Sequence, residues 1–486
     1  MGPRRGRDKR ARQGRCRNGD RRALMLYSAP MYGLYGALIR LAWAVVLPYQ
    51  SVIAAVSGRS RPRLRERRGW PGEGPPPRRG GVWVHAVSVG EVRLALLLLA
   101  RLRERLAAGT PLHLTTSTPT GRELAEQARR SGEAGRPDTL SAIPFDLPGS
   151  MGRFLDHLRP RAVLILETEI WPNLLRLCAR RAVPVILVNG RISPGAHRRY
   201  RAVRPFLRRA LEQVRLFGMQ SRADAERIVD LGAPPGRVRV TGNLKFDLPP
   251  PAVTPEAVRA RLGIAPGEPL FVAGSTAPGE EAPVLEAFRI VREFDPRARL
   301  ALVPRHPQRF ARAREALASA GLRIADWSRL GSAPAGSGGA PGGGAPYDAL
   351  LVDAVGVLPQ IYAAADVVFV GGSLVARGGH NILEPASLGK PVLFGPHMAN
   401  FREPARALAE AGGGFVARDG VELGRLAVRL LADRPAWVVA AAMARHVVEA
   451  NRGAMGRTLV AVEEVLSPLP EPPARPPAPG LAAARP

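Results

Sequence analysis

Several short segments hold side chains whose types and spacing suit catalysis. In "HAVSVGEV" (85–92), Glu91 sits where an apolar run gives way to a long Leu/Ala/Arg segment. Ser88 and Glu91 make an S-x-x-E pattern, the signature of a helix start at which both side chains satisfy free backbone N–H groups. A carboxylate at the end of a strand is also placed to act as a general base. The two readings compete for one side chain. In "LETEIWPN" (166–173), Glu167 and Glu169 stand two residues apart at the end of an apolar strand. Extended backbone projects such a pair to one side, and burying them costs desolvation unless they are paired or near water. Surface-loop glutamates before a helix start at Trp171-Pro172 are the other reading. Lys245, in "TGNLKFD" (241–247), is a further candidate, with a solvated lysine as the alternative.

A second set of residues suits an anionic ligand. "VPRHPQRF" (303–310) ends a strand at Pro304, Arg305 and His306. The planar fork of arginine makes paired hydrogen bonds to phosphate oxygens. In "GGSLVARGGHNILEPASLGKPVLFGPH" (371–397), two glycine pairs, Gly371-Gly372 and Gly378-Gly379, follow a strand, and a helix is predicted from Asn381 to Gly389. Glycine-rich backbone entering a helix suits a phosphate, and Glu384 is placed to accept from ribose hydroxyls. An ordinary strand–turn–helix is the alternative. The pattern is neither G-x-G-x-x-G nor a Walker sequence, so dinucleotide or ATP binding is not implied. "AGSTAPGEE" (273–281) adds the hydroxyls of Ser275 and Thr276, and no D-x-D occurs in the chain. Together these features predict a metal-independent enzyme, without a cofactor, that uses a nucleotide-activated group.

The elements that must position these residues follow from the pattern of apolar runs. Strands are predicted at 81–87, 112–118, 161–169, 183–189, 214–220 and 238–243, with helices between them. A proline-rich break at 247–256 precedes a second series at 269–275, 299–306, 322–327, 349–353, 366–373 and 390–396. This is the β–α alternation of parallel sheets covered by helices. We therefore expect two Rossmann-like, doubly wound α/β domains. Ligands of such sheets bind outside the carboxyl ends of the strands, so the two domains are expected to face a central cleft. The expected divisions are a basic tail at 1–22, a membrane anchor with its basic flank at 23–70, domains at 81–246 and 257–465, and a Pro/Ala-rich tail at 466–486. A glycine-rich insert occupies 331–346.

Composition narrows the partners. The formal net charge of +30 comes almost wholly from arginine and favours an anionic partner. No zinc-finger spacing, RNP-type motif or basic-leucine heptad supports nucleic acid. The two cysteines, Cys16 and Cys178, are far apart and form no metal motif. From Ala23 to Gly58 the chain carries a single charge, Arg40, with basic clusters on both sides. That pattern predicts attachment to an anionic membrane surface, as a span or as an interfacial helix. A buried helical hairpin is the alternative.

The motifs occur in the order seen in 3-deoxy-D-manno-octulosonic acid (Kdo) transferases of lipopolysaccharide synthesis. "HAVSVGEV", "TTSTPTG", "LETEIWPN", "TGNLKFD", "VPRHPQRF", "FVGGSLVARGGHNILEPA" and "PVLFGPH" carry the resemblance, which covers roughly residues 23–460. It implies a GT-B fold and an inverting transfer of Kdo from CMP-Kdo to the lipid A precursor (lipid IVA), at the cytoplasmic face of a Gram-negative inner membrane. Residues 81–246 would form the acceptor domain and 257–465 the donor domain. Glu91 matches the general base. Glu167 and Lys245 match positions assigned to transition-state stabilisation. Pro304, Arg305, the segment Val355-Gly356-Val357 and Asn381-Ile382-Leu383-Glu384 match CMP contacts. Ser275, His306, Ser373, Gly378 and Gly379 are further donor-side candidates. Val357 stands where the family commonly has glutamate, and Ala277 where it has histidine, so those side-chain contacts are not expected here. Another GT-B transferase, a nucleotide-sugar epimerase and a basic nucleic-acid-binding protein are the competing readings.

Overall fold

A computed structural model describes residues 32–44, 46, 63–70, 78–250, 254–330 and 347–467. The expectations for the basic tail 1–22, for much of the apolar segment and its flank, for the insert 331–346 and for the chain beyond 467 lie outside those residues. Two seven-stranded sheets organise the rest. The first holds β1 (Val82–Ala86), β2 (Leu112–Thr116), β3 (Thr139–Ala142), β4 (Ala162–Leu166), β5 (Val185–Gly190), β6 (Leu216–Met219) and β7 (Val238–Val240). Its order is β3-β2-β1-β4-β5-β6-β7. The second holds β8 (Leu270–Thr276), β9 (Arg299–Pro304), β10 (Ile324–Asp326), β11 (Ala349–Leu351), β12 (Val367–Val370), β13 (Val392–Phe394) and β14 (Gly414–Val416). Its order is β10-β11-β9-β8-β12-β13-β14. Every adjacent pair is parallel.

Helices cover both faces, so the central strands bury both rows of side chains and read as unbroken apolar runs. In β8, Leu270 and Val272 enter one apolar layer, with Tyr362, Val368 and Phe394. Phe271 and Ala273 enter the opposite layer, with Phe288, Leu302 and Phe369. In the first unit, Trp83, Phe154, Leu174 and Phe217 share a core layer. Its helices start on side-chain caps: Ser88, Thr118, Ser193 and Ser221 each accept an N–H from three residues on.

The chain divides into one unit that runs to Leu244 and resumes at Gly453, and a second unit, Lys245–Arg452. The helix Ala454–Leu466 thus groups with the first unit, although its position in sequence placed it in the second domain. Arg457 Nε donates to the Thr241 carbonyl at 2.9 Å, and Arg105 and Arg239 pair with Glu463 and Glu464.

Residues 32–44 form a helix docked on the first unit. Tyr32 and Tyr35 pack on Phe206, and Trp43 packs on Phe145. The Tyr35 hydroxyl donates to Asp146 Oδ2 at 2.9 Å. Asp146 also accepts the N–H groups of Asn173 and Leu174, at the start of the helix Pro172–Arg180. Leu34, Leu38 and Leu41 remain exposed. Among the described residues no helix is long and apolar enough to cross a membrane.

Part of the basic flank turns inward instead of offering itself to headgroups. Arg67 donates to the carbonyls of Ser117 and Ile143 and lies over the Trp43 ring. Burial lowers its pKa. Glu66, 3% exposed, accepts the Ala142 N–H on edge strand β3 and pairs with Arg122 at 3.0 Å. Glu66→Ala strands that N–H and leaves the Arg122 guanidinium to its pair with Glu126 at 2.7 Å. We expect a loss of about 3 kcal/mol in urea melts, with Glu66→Gln recovering part of it.

Candidate active site

In each sheet the strand order reverses at one point, between β1 and β4 in the first and between β8 and β12 in the second. Open parallel sheets bind ligands at the carboxyl side of that point. Glu91 and Glu167 lie there in the first sheet, and Ser275 and Ser373 in the second.

In the first sheet, β1 runs out at Val87 and the helix Val89–Arg105 begins at Ser88. The hydroxyls of Thr116 and Thr118, from "TTSTPTG", both donate to the Val87 carbonyl, at 3.1 and 2.9 Å. That segment therefore fixes the turn which carries Glu91. The Glu91 carboxylate folds back onto this turn: Oε2 accepts the Val87 N–H at 2.8 Å and Oε1 accepts the Ser88 hydroxyl at 2.9 Å. Of the two readings that compete for Glu91, the cap is the one its carboxylate realises. The cause is the burial of the strand end, which leaves the Val87 N–H in need of an acceptor.

Beside it, β4 ends at Glu167, whose φ of +54° is left-handed. The strand alternation breaks at that residue, so the same-side argument for Glu167 and Glu169 does not hold. Glu167 meets Arg191 Nε at 3.1 Å. The Thr168 hydroxyl and the Arg191 backbone bond to each other and tie the ends of β4 and β5 together. Glu169 feels both neighbouring carboxylates. Burial first, then Glu91 and Glu167, push its pKa up to about 7. Burial and Glu167 likewise raise Glu91, against the hydrogen bonds from Val87 and Ser88. Three carboxylates thus share one neighbourhood, and Glu169, noted in the sequence but not placed in the site, joins Glu91 in holding its proton more tightly than an ordinary carboxyl.

At the end of this unit, Asn189 Oδ1 at the close of β5 accepts the Leu244 N–H at 2.9 Å, which fixes the chain just before Lys245. Lys245 is the first residue of the second unit, and its ammonium lies 4.8 Å from the centre of the Phe401 ring.

In the second sheet, the glycine-rich turn after β12 does not stand open as a phosphate cradle. Glu280, fully buried, fills it. Its Oε2 accepts the N–H groups of Gly372 and Ala277 at 2.6 and 2.8 Å, and its Oε1 those of Ser373 and Leu374, both at 2.9 Å. A Cβ at Gly371 would lie 2.6 Å from Oε2, which is why glycine stands there. Ser373 is structural: its hydroxyl donates to the Val370 carbonyl and accepts the Gly395 N–H. Gly378 and Gly379 back tightly onto Asn400 and Met398. Gly378 also borders a cavity of ≈ 510 Å³ with His397, Arg402 and Arg406, which no other predicted site residue lines.

The cationic group lies toward β9. Pro304 ends that strand, and the Arg305 N–H donates to the Thr276 carbonyl at 3.1 Å. His380, absent from the sequence-based list, comes next to it. Burial, then the charges of Arg305 and His306, pull its pKa down to about 4. Its ring also packs on Gly372, where an added Cβ would meet it at 2.7 Å. Ser275 is buried with a left-handed φ of +54°, at a register shift in β8. Ile382 and Leu383 are core side chains, so they offer only backbone to a ligand. Asn381 takes the Leu383 N–H on Oδ1 and holds Glu384 from Nδ2 at 3.2 Å. Val355 is 77% exposed, Gly356 has φ +91°, and Val357 packs at the start of the helix Leu358–Ala364.

Two parallel-sheet units, each with ionisable groups at its reversal point, define a two-domain α/β enzyme. UDP-GlcNAc 2-epimerase from Neisseria meningitidis shares this fold, with a TM-score of 0.55 and 14% identity over 80% of this chain and 100% of that one. Residues 62–248 match the family model for 3-deoxy-D-manno-octulosonic-acid transferase (kdotransferase). The 3-deoxy-D-manno-octulosonic acid transferase of Bordetella pertussis is 40% identical over 81% of this chain and 89% of its own length. That of Haemophilus influenzae is 32% identical over 87% and 96%. The chain belongs to this family of glycosyltransferases.

The crowding of carboxylates has a measurable cost. Because the folded-state pKa of Glu169 lies above its ordinary value of 4.5, its contribution is fully present below that pH and is lost as pH rises through about 7. Glu169→Gln is therefore expected to match the parent near pH 4 and to exceed it by about 1–2 kcal/mol near pH 8, after allowing for solvent screening. Denaturant melts across that range check it.

Proposed function

We propose that the chain transfers Kdo from CMP-Kdo to a sugar hydroxyl of the lipid A precursor, with inversion and without a metal, at the cytoplasmic face of a Gram-negative inner membrane. The observation that carries the reading is the Glu91–Glu167–Glu169 neighbourhood at the reversal point of the first sheet, in a chain of the Kdo transferase family. Glu91 is the base. A carboxylate has four lone-pair sites, and the capping bonds described take two. Its raised pKa moves it toward the pH at which it must take a proton. Glu167, set against Arg191, and Lys245 stabilise charge as the transfer proceeds.

On the donor side, Arg305 and the histidines beside it receive the CMP phosphate, whose charge grows as the bond to the sugar breaks. Pro304, Val355 to Val357 and Asn381 to Glu384 hold the rest of the nucleotide. Among the described residues no group of three or more His, Cys, Asp or Glu is arranged to hold a metal ion.

Incubation of the purified protein with CMP-Kdo and tetra-acylated lipid A precursor, read by mass spectrometry, is expected to show added Kdo, unaffected by a chelator. No added sugar overturns the assignment. Glu91→Gln is expected to lower kcat by about 10²–10⁴-fold; full activity in that variant removes the base role.

The helix at 32–44 supports membrane attachment at the surface. Leu34, Leu38 and Leu41 recur at helical spacing and are 64%, 57% and 66% exposed, while the aromatic side chains fasten the helix to the protein. Replacing all three leucines by serine is expected to lower binding to phosphatidylglycerol-containing vesicles by about tenfold or more, with Tm unchanged. Undiminished co-sedimentation counts against this attachment.

A further inference from the structure

We propose that Glu280 is a specificity-determining residue of the donor site: it supplies the anion of the glycine-rich nest itself, so the site accepts a sugar donor activated by one phosphate and rejects a diphosphate. The inference rests on reading the second unit as the binder of a nucleotide-activated sugar.

Convergent backbone N–H groups at the reversal point of a parallel sheet are the arrangement by which α/β proteins hold phosphate. Here the arrangement is complete and already filled. The N–H groups of Ala277, Gly372, Ser373 and Leu374 all end on the Glu280 carboxylate, at 2.6–2.9 Å. The site is built for this occupant. Glu280 is wholly buried, and Gly371 leaves room for its oxygen. Glu281 steadies the same turn by accepting the Gly279 N–H at 3.1 Å and pairing with Arg309.

The cation Arg305 lies next door, beside two histidines. His380 packs against Gly372 on one side and answers electrostatically to Arg305 and His306 on the other. A single phosphate finds its positive partner in Arg305 and hydrogen-bond donors in the two imidazoles. A second phosphate linked to it would have to enter a nest whose donors are taken and whose occupant is an acid. Both effects reject it, one by withholding hydrogen bonds and one by like-charge repulsion.

Calorimetric titration of the full chain with CMP and with CDP tests this. The parent protein is expected to bind CMP at least about tenfold more tightly than CDP. Glu280→Ala frees four N–H groups and is expected to bring CDP to within about twofold of CMP, or below it. Should that variant fail to fold by circular dichroism, Glu280→Gln keeps the shape, removes the charge, and is expected to shift the CDP/CMP ratio the same way by a smaller factor. A parent protein that binds both nucleotides equally overturns the proposal. So does a ratio unchanged in the folded variants. A parent protein that binds neither cytidine nucleotide overturns the donor reading itself, and this inference with it.

Discussion

Parallel sheets leave backbone N–H groups at their carboxyl ends, where the next strand no longer supplies a carbonyl. Buried N–H groups must find acceptors elsewhere. In this chain acids from nearby helices and turns meet that need. Glu91 takes the Val87 N–H after β1, and Glu280 takes four N–H groups around the ends of β8 and β12. Asp146 takes two at the start of the helix after β4, and Asp224 takes the Ile192 N–H after β5. The turns that present the site depend on these bonds, because without them the strand ends would carry unsatisfied donors in a dry interior.

The same device explains why the two reversal points differ. In the first sheet the acids gather. Burial and the neighbouring carboxylates raise the proton affinity of Glu91 and of Glu169, while Glu167 pairs with Arg191. That is a place to accept a proton. In the second sheet the acid is sealed under glycine backbone and Arg305 stands beside it, with two imidazoles whose proton affinity burial and Arg305 lower. That arrangement suits the phosphate of the proposed donor.

Much of the strand pattern was legible in the sequence. Strands buried on both faces have to be apolar and branched, and "AVLIL" or "VVFV" says so without help. β3 and β14 were missed because they are short edge strands: "TLSA" and "GFV" carry no apolar run and bury only part of their length. Sheet order was out of reach, since apolar runs do not name their neighbours. The motifs named candidate residues, but where their side chains turn was not legible. Glu91 carried a cap reading and a base reading, and a strand-end N–H draws its carboxylate into the cap. The glycine pair was expected to hold a phosphate, and the first acid of "PGEE", Glu280, occupies that turn instead. His380 lay within a quoted motif, and only its packing against Gly372 beside Arg305 gave it a role.

The last helix has a consequence for how the protein is made. Ala454–Leu466 buries Ala454, Met455, Leu459 and Val462 in the unit that begins before β1, so the second unit is an insertion within the first. A ribosome delivers the N-terminal sheet first, yet the piece that completes it comes after all of Lys245–Arg452. Domains generally fold as units in the order they emerge. Here the contiguous inserted unit has all its parts before the first unit has its own. The older half of the nascent chain must wait for the younger, with β6 and the helix Val89–Arg105 lacking their partner throughout.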